Sequence, residues 1–547
     1  MINLQKIQNE YQIELKIDKG LVFLFATWGV YFLIIWPKML FYGNDGIYSG
    51  YFGVWSDWAS HFAYMNRFLY HTPANWFNTH PLFYGKKFIY PFIPDFISAM
   101  LVKFGMDKVT SFILPSLLVS LLLLLIFYKF FKYIFKSSKL AILAITLFFS
   151  SGGLGFIWFI NDLVSNWGNI LQFFPPEYTR MPEEHIHWVT ILPGQLLAQR
   201  GLLFGLPILT YIVFQLYKWS KQNFKNIKKY KITLLGFLSS LLLIIHTHSF
   251  IVLFMVCLCF LSMRFKQYKS WLVYGVTVVI FAFPIYLLLY HNQVSGSFFK
   301  WYPGWIAKTD QINFLYFWFL NWGLFLPFAI YSIVKNKLYK NPLVTSGLVV
   351  FSVSNLILYQ PWDWDNTKIL NWTYLMFCIP VVIELKNIWN LKNKFLQSFV
   401  ILLIFLFSFS GMLDNFRLLK TNKLKAKAWS YEEVNLAQNF RRISNPTDIV
   451  LCSDYHHHWI TSLTGRQVLM GYRGWLGSYG VDYHQTYEDI HNIYKGSEIS
   501  KVLIQKYNIK YIVIGPHEKR DFEVNLDFFK KNYQVVLNNG NYVVYKV

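Results

Sequence analysis

Apolar residues fall in long unbroken blocks over most of the chain. Runs rich in Leu, Ile and Phe occupy 111–131, 139–161, 270–290, 313–333 and 396–413. A helix needs about 20 consecutive apolar residues to cross a bilayer core, so each block is read as a membrane span. An earlier block, 20–42, follows a polar stretch mixing Lys, Glu and Asp. No A-x-A-like cleavage site follows it, so it is read as a retained signal-anchor helix. Further spans are expected at 188–217, 232–245, 249–263, 343–360 and 367–385, about eleven in all. The segment 92–105, FIPDFISAMLVKFG, is short and carries Asp95 and Lys103, so it is expected to lie at the interface or re-enter without crossing.

The pattern changes near residue 420. Short strand-like runs appear at 448–453, 467–471, 511–515, 533–537 and 542–547, with helix-like stretches at 486–495, 498–507 and 521–531 between them. Asn538, Asn539 and Gly540 signal a hairpin between the last two strands. The expected architecture is a polytopic α-helical membrane region over 1–419 and a small α/β domain over 420–547.

Composition agrees with a membrane protein. Of 547 residues, 55% are hydrophobic and 14% charged, and the formal net charge is +23. That charge does not point to nucleic acid, because the lysines sit in short connectors between spans: Lys132, Lys136 and Lys139, then Lys218 to Lys231, Lys335 to Lys340, and Lys386 to Lys394. Such loops mark the cytoplasmic side. The rule puts the chain in the cell (plasma or inner) membrane with a cytoplasmic N-terminus and an extracytoplasmic tail. Outer elements then fall at 43–110, 162–187, 291–312 and 360–366. Four cysteines, three of them in apolar segments, give neither a disulfide framework nor a zinc spacing. No P-loop, nucleophile elbow, HExxH or dinucleotide fingerprint is present.

The unusual polar residues collect in the outer elements. In GVWSDWASHFAYMNRF (53–68), Trp55, Trp58, Phe62 and Met65 have helical spacing, and Asp57 and His61 stand four residues apart on one face. Asp57 can take a proton from a hydroxyl or hold a metal; an interfacial helix with a surface Asp–His pair is the bland alternative. His246 and His248 interrupt an apolar run, where ionisable groups usually line a cavity; hydrogen-bonded core histidines are the alternative. In QPWDWDNTKILNW (360–372), Asn366 is an N-cap candidate and Lys368 lies in the first turn of the next span, a setting that suits phosphate. Asp363 and Asp365 form a D-x-D that can hold a divalent cation such as magnesium or manganese against phosphate; a capped turn with a snorkelling lysine is the alternative. Arg200, inside the span 188–217, calls for a phosphate or carboxylate partner. Glu183, Glu184, His185 and His187 read mainly as a solvated loop. In the tail, Arg473 lies in SDYHHHWITSLTGRQVLMGYRGWLGSYGVDY (453–483), read as a cap over the membrane site.

Taken together, WSDWASH, YPFIPD, the Gly-rich FFSSGGLGFIWF, HTHSF, WDWDNTK and the tail stretch LTGRQVLMGYRGWLGSYGVDY resemble the GT-C superfamily of integral-membrane glycosyltransferases, in a bacterial branch. The resemblance covers most of the chain through loose motifs. It implies an enzyme that moves a sugar from a polyprenyl-phosphate carrier to a glycan, lipid or protein acceptor on the extracytoplasmic face of a cell-envelope membrane. It implies Asp57 as the acceptor-activating base or a metal holder, and Lys368 and Arg200 as carrier-phosphate contacts. His246, His248, His61, Asn366 and Arg473 complete the expected substrate-binding set. There is no WWDYG-like motif, so transfer to Asn is not the reading. Two other classes fit the same pattern: a transporter or flippase of lipid-linked glycans, and a non-catalytic cell-envelope assembly protein. A transporter should place its ionisable groups near the bilayer midplane within broken helices, whereas here they gather at the outer helix ends.

Overall fold

A computed structural model describes residues 18–167, 177–291, 299–420 and 425–547. Most of the polar N-terminal stretch and the parts of the expected outer loops at 168–176 and 292–298 lie outside the described residues. Among those described, six helices are long and apolar enough to cross a membrane: Lys19–Met39 (α1), Lys108–Phe135, Arg200–Lys221, Phe265–Leu289, Asp363–Trp389 and Lys394–Leu418. A seventh apolar unit is a pair, Phe314–Trp322 and Phe325–Lys335, bent by 100°. Shorter apolar helices cover Ser138–Phe149, Phe156–Ser165, Thr247–Met263 and Pro342–Ser354. The expectation of about eleven full spans thus resolves into full spans, one bent pair and half-length helices.

The breaks have local causes. The block 139–161 stops being helical at the Gly-rich turn. A Cβ on Gly153 would lie 1.9 Å from the Leu320 carbonyl oxygen, and one on Gly155 would lie 1.7 Å from that of Tyr178. The chain gives up helix there to pack backbone on backbone, with Leu154 N–H donating to Leu320 O at 2.9 Å. Gly323, at φ +55°, makes the sharp bend of the paired helices. The expected span 188–217 is helical in full α form only from Arg200; its first part is an irregular strand of chain with a wide turn at Leu192–Leu197.

After α1, strands β1 (Leu40–Tyr42) and β2 (Gly46–Ser49) form a hairpin, followed by helix α2 (Phe52–Tyr70) and helix α3 (Ile93–Lys103). The sequence suggested that α2 lies on the interface with one face to the headgroups. Instead every residue from Trp58 to Phe68 is buried, because α2 is enclosed by α3 on one side and the C-terminal segment on the other. Helices α4 (Lys108–Phe135) and α5 (Arg200–Lys221) meet α2 near their starts, Phe112 stacking on Phe62 and Arg200 lying over Trp58, while α6 (Thr247–Met263) and α7 (Thr367–Trp389) carry His248 and Lys368 in their first turns.

The C-terminal segment begins with β3 (Ala426–Ser430), which pairs antiparallel with β2. Beyond it, β4 (Ile449–Leu451), β5 (Gln467–Val468), β6 (Ile509–Ile514), β7 (Gln534–Asn538) and β8 (Val543–Lys546) form one sheet in the order β5-β4-β6-β8-β7. The β5–β4–β6 part is parallel and the β7–β8 hairpin antiparallel. The sequence-predicted hairpin turn is present, with Gly540 at φ +90°. This segment is stitched to the loop after α2 by main-chain bonds, Tyr84 N–H to Leu469 O at 3.0 Å and Gly471 N–H to Leu82 O at 2.8 Å. It is also held by the Asn66 amide, which donates to Ser462 O at 2.7 Å.

Candidate functional site

Asp57 sits in the first half of α2 and, like Trp55 and Ser56 before it, keeps some accessible surface, whereas the helix is buried from Trp58 to Phe68. Its Oδ2 accepts a hydrogen bond from the Gln199 side-chain amide. Burial pushes its carboxyl up to about 6, against the opposing pull of Lys368 and His61 and reinforced by the negative charge of Asp365. A carboxylate poised there exchanges a proton near neutral pH.

Lys368 occupies the first turn of α7, and its Nζ pairs with Asp365 Oδ1 at 3.0 Å. Two segments distant in the chain therefore place two carboxylates and an ammonium within electrostatic reach of one another. The turn before α5 joins them: the Gln195 amide donates to Thr367 Oγ1 at 2.8 Å. His246 and His248 lie near the same charge, their rings 5.3 Å apart. His246 is the N-cap of α6, with Nδ1 2.8 Å from Ser249 Oγ. His248 makes no hydrogen bond through its ring among the described residues. The C-terminal segment closes the other side through Tyr479, which accepts from Tyr64 OH at 3.1 Å and lies close enough to Asp57 and Asp365 to feel both charges.

A second, fully buried cluster supports the first. Asp95 of α3 receives Arg200 Nη1 at 2.6 Å and faces His61 Nδ1 at 2.9 Å. Arg200 Nη2 donates to Ser98 Oγ at 2.7 Å, and its guanidinium lies 4.0 Å over the Phe112 ring. This network ties α2, α3 and α5 together one helical turn beyond Asp57.

The fold has solved counterparts. The oligosaccharyltransferase of Archaeoglobus fulgidus, solved with Zn and sulfate, matches with a TM-score of 0.54 at 11% identity, over 91% of this chain and 68% of that one. ArnT from Cupriavidus metallidurans, solved bound to undecaprenyl phosphate, matches with a TM-score of 0.51 at 10% identity, over 96% of this chain and 98% of that one. The chain has the GT-C fold. No protein-family model matches the sequence, and no curated protein does.

Within this GT-C fold the residues singled out from the sequence separate into three groups. Asp57, Lys368, Asp365, His246 and His248 come together. Arg200 and His61 lie beside them but face Asp95, so of the two partners Arg200 called for, the structure supplies the carboxylate. The pairing of His61 with Asp57 gives way to the shorter contact with Asp95. Asn366, Asp363 and Arg473 have other engagements. Asn366 stands at the N-cap position without capping: its amide donates to Ser354 O at 2.8 Å and Ile357 O at 2.7 Å, clamping the preceding turn. Asp363 Oδ2 accepts from Thr309 Oγ1 at 2.9 Å, and Arg473 Nε pairs with Asp454 Oδ2 at 2.5 Å.

The D-x-D does not fit a divalent cation. Asp363 turns to Thr309 while Asp365 turns to Lys368, so the two carboxylates do not converge. Among the described residues no three His, Cys, Asp or Glu side chains gather as a metal group requires. The sequence reading also missed Gln199, Tyr479 and Asp95. Gln199 was hidden inside an expected span; Asp95 carried a signal as an acid in an apolar helix; Tyr479 gave none, since it reaches the site only through the tail's docking.

Proposed function

We propose that this protein is a glycosyltransferase that moves a sugar from a polyprenyl-phosphate carrier to an acceptor hydroxyl at the Asp57 end of the helix bundle, on the extracytoplasmic face. The observation that carries the reading is the Asp57 carboxylate, raised to about 6 by burial and set beside the Lys368–Asp365 pair at a helix N-terminus. The likeness in fold to ArnT solved with undecaprenyl phosphate supports it.

In this mechanism the carrier phosphate docks against Lys368, with His248 as an available ring donor. Gln199 holds one oxygen of Asp57 and so fixes which oxygen meets the acceptor. The acceptor hydroxyl proton passes to Asp57 as the acceptor oxygen bonds to the anomeric carbon. The bond from that carbon to the phosphate oxygen breaks, and its electron pair leaves on the polyprenyl phosphate. The added charge develops beside the Lys368 ammonium, which is already in place. The ionisable groups sit at helix ends rather than mid-bundle: Lys368 in a first turn, Arg200 at a first residue, His246 at a break. This distribution favours chemistry at one face over transport through the bundle.

The test is transfer by purified protein supplied with a polyprenyl-phosphate sugar and an acceptor. Asp57→Asn keeps the Gln199 contact but removes the base, and turnover is expected to fall by about 10²–10⁴-fold with carrier binding retained. Turnover at the wild-type rate would remove Asp57 from the mechanism.

A further inference from the structure

A cavity of about 420 Å³ opens at the far end of α2, lined by Tyr70, Gln438, Arg441, Arg442, Pro446 and Arg466. Half of its lining is arginine and none is acidic. Tyr70 carries two cations: Arg441 lies 4.9 Å from its ring centre and Lys108 Nζ 5.2 Å. Among the described residues, Lys108, Arg441, Arg442 and Arg466 make no ion pair with a carboxylate. Asp448, whose charge acts on Arg466, accepts a hydrogen bond from Asn445 N–H at 2.7 Å.

The cluster is anchored by its one buried member, Arg466, with Arg441 half-buried and Arg442 exposed. Arg466 is 4% exposed. It is fixed by neutral acceptors only: Ser444 Oγ at 3.0 Å, Thr464 O at 3.0 Å, Arg441 O at 2.9 Å and Ser444 O at 2.5 Å. Arg441 donates one Nη1 bond, to Leu463 O at 2.9 Å, which leaves the rest of its fork for the cavity. Burial and the charge of Arg441 push the Arg466 guanidinium down to about 10. Gathering like charges in a partly desolvated recess costs stability unless an anion offsets them, and the planar arginine fork matches phosphate oxygens. Tyr70 is thirteen residues from Asp57 on one helix, about 20 Å along its axis, so this recess is separate from the Asp57 site.

We propose that this cavity binds a phosphate ester at a second site, distinct from the carrier phosphate at Lys368. Two sources share that chemistry. Lys108 begins an apolar spanning helix, so an anionic phospholipid headgroup lies at the right depth; a soluble sugar- or glycerol-phosphate group, free or on a glycan, fits the volume equally.

The experiment uses the full chain in neutral detergent at constant ionic strength. Thermal unfolding is followed with glycerol 1-phosphate, with phosphatidylglycerol micelles and with phosphatidylcholine micelles, for wild type and for R441Q/R442Q. In wild type the midpoint should rise with phosphatidylglycerol, and the apparent affinity should be about tenfold weaker in the double variant. Native mass spectrometry should count one fewer retained phosphatidylglycerol in the variant. A rise with phosphatidylglycerol alone assigns the headgroup; a rise with glycerol 1-phosphate as well assigns a soluble phosphate. Arg442→Gln alone, at an exposed position, stands in if the double variant fails to fold. No anion-dependent rise in wild type, or an equal rise in the variants, overturns the proposal.

Discussion

At the scale of single residues, Asp57 is tuned by two opposed effects. Burial raises its carboxyl to about 6, and the Lys368 charge pulls it back toward the ordinary range. A base must be ionised to accept a proton, so transfer should be lost as pH falls through about 6 and should be full above it. Removing Lys368 removes the lowering charge, so Lys368→Ala should move that acid limb upward in pH as well as weaken carrier binding. The measurement is the pH profile of turnover at saturating donor; an acid limb that stays put in the variant would separate Lys368 from Asp57. Spacing on a helix made Asp57 and His61 neighbours. It did not reveal that His61 answers to Asp95, because that partner arrives from another helix.

At the scale of elements, the Asp95–Arg200–His61 network is the joint of α2, α3 and α5. All three side chains are buried, and breaking a buried ion pair leaves an uncompensated charge. Asp95→Ala should therefore cost about 3–5 kcal/mol of stability, read as a lowered thermal midpoint. The double change Asp95→Ala with Arg200→Met should recover part of it, since no lone charge remains. Equal losses in single and double variants would mean that the network contributes little beyond packing. Arg200 was legible as a residue that needs an anion, since a bare guanidinium in an apolar helix is too costly. Which anion answers it was not legible, because phosphate and carboxylate offer the same two oxygens. Helix lengths failed similarly at the Gly-rich turn: the apolar runs on either side of 150–155 read as one span, while close backbone contacts there end the helix.

At the scale of the whole molecule, the C-terminal segment belongs to the site. It continues the β1–β2 hairpin through β3, pairs with the loop after α2, and delivers Tyr479 to the Asp57 recess. Burial holds the Tyr479 hydroxyl protonated, above the usual phenol range. Tyr479→Phe removes one hydrogen bond at that boundary. Turnover should fall by up to about tenfold, the equivalent of one net hydrogen bond, with the thermal midpoint nearly unchanged. A drop in stability without loss of turnover would make the residue a packing contact alone.

The sequence alone determined that this is a polytopic membrane chain whose pattern changes near residue 420, and that its unusual acids, bases and histidines gather near helix ends. These follow from block length and residue type, which act locally: a long apolar run must leave water, and a charge near it must find a partner or an interface. Tertiary structure decided which partner each charge found, where apolar runs break, and that α2 lies enclosed. It also brought Gln199, Asp365 and Tyr479 to Asp57. Those outcomes depend on contacts between segments 34 to 415 residues apart, and no local pattern carries the geometry of such contacts.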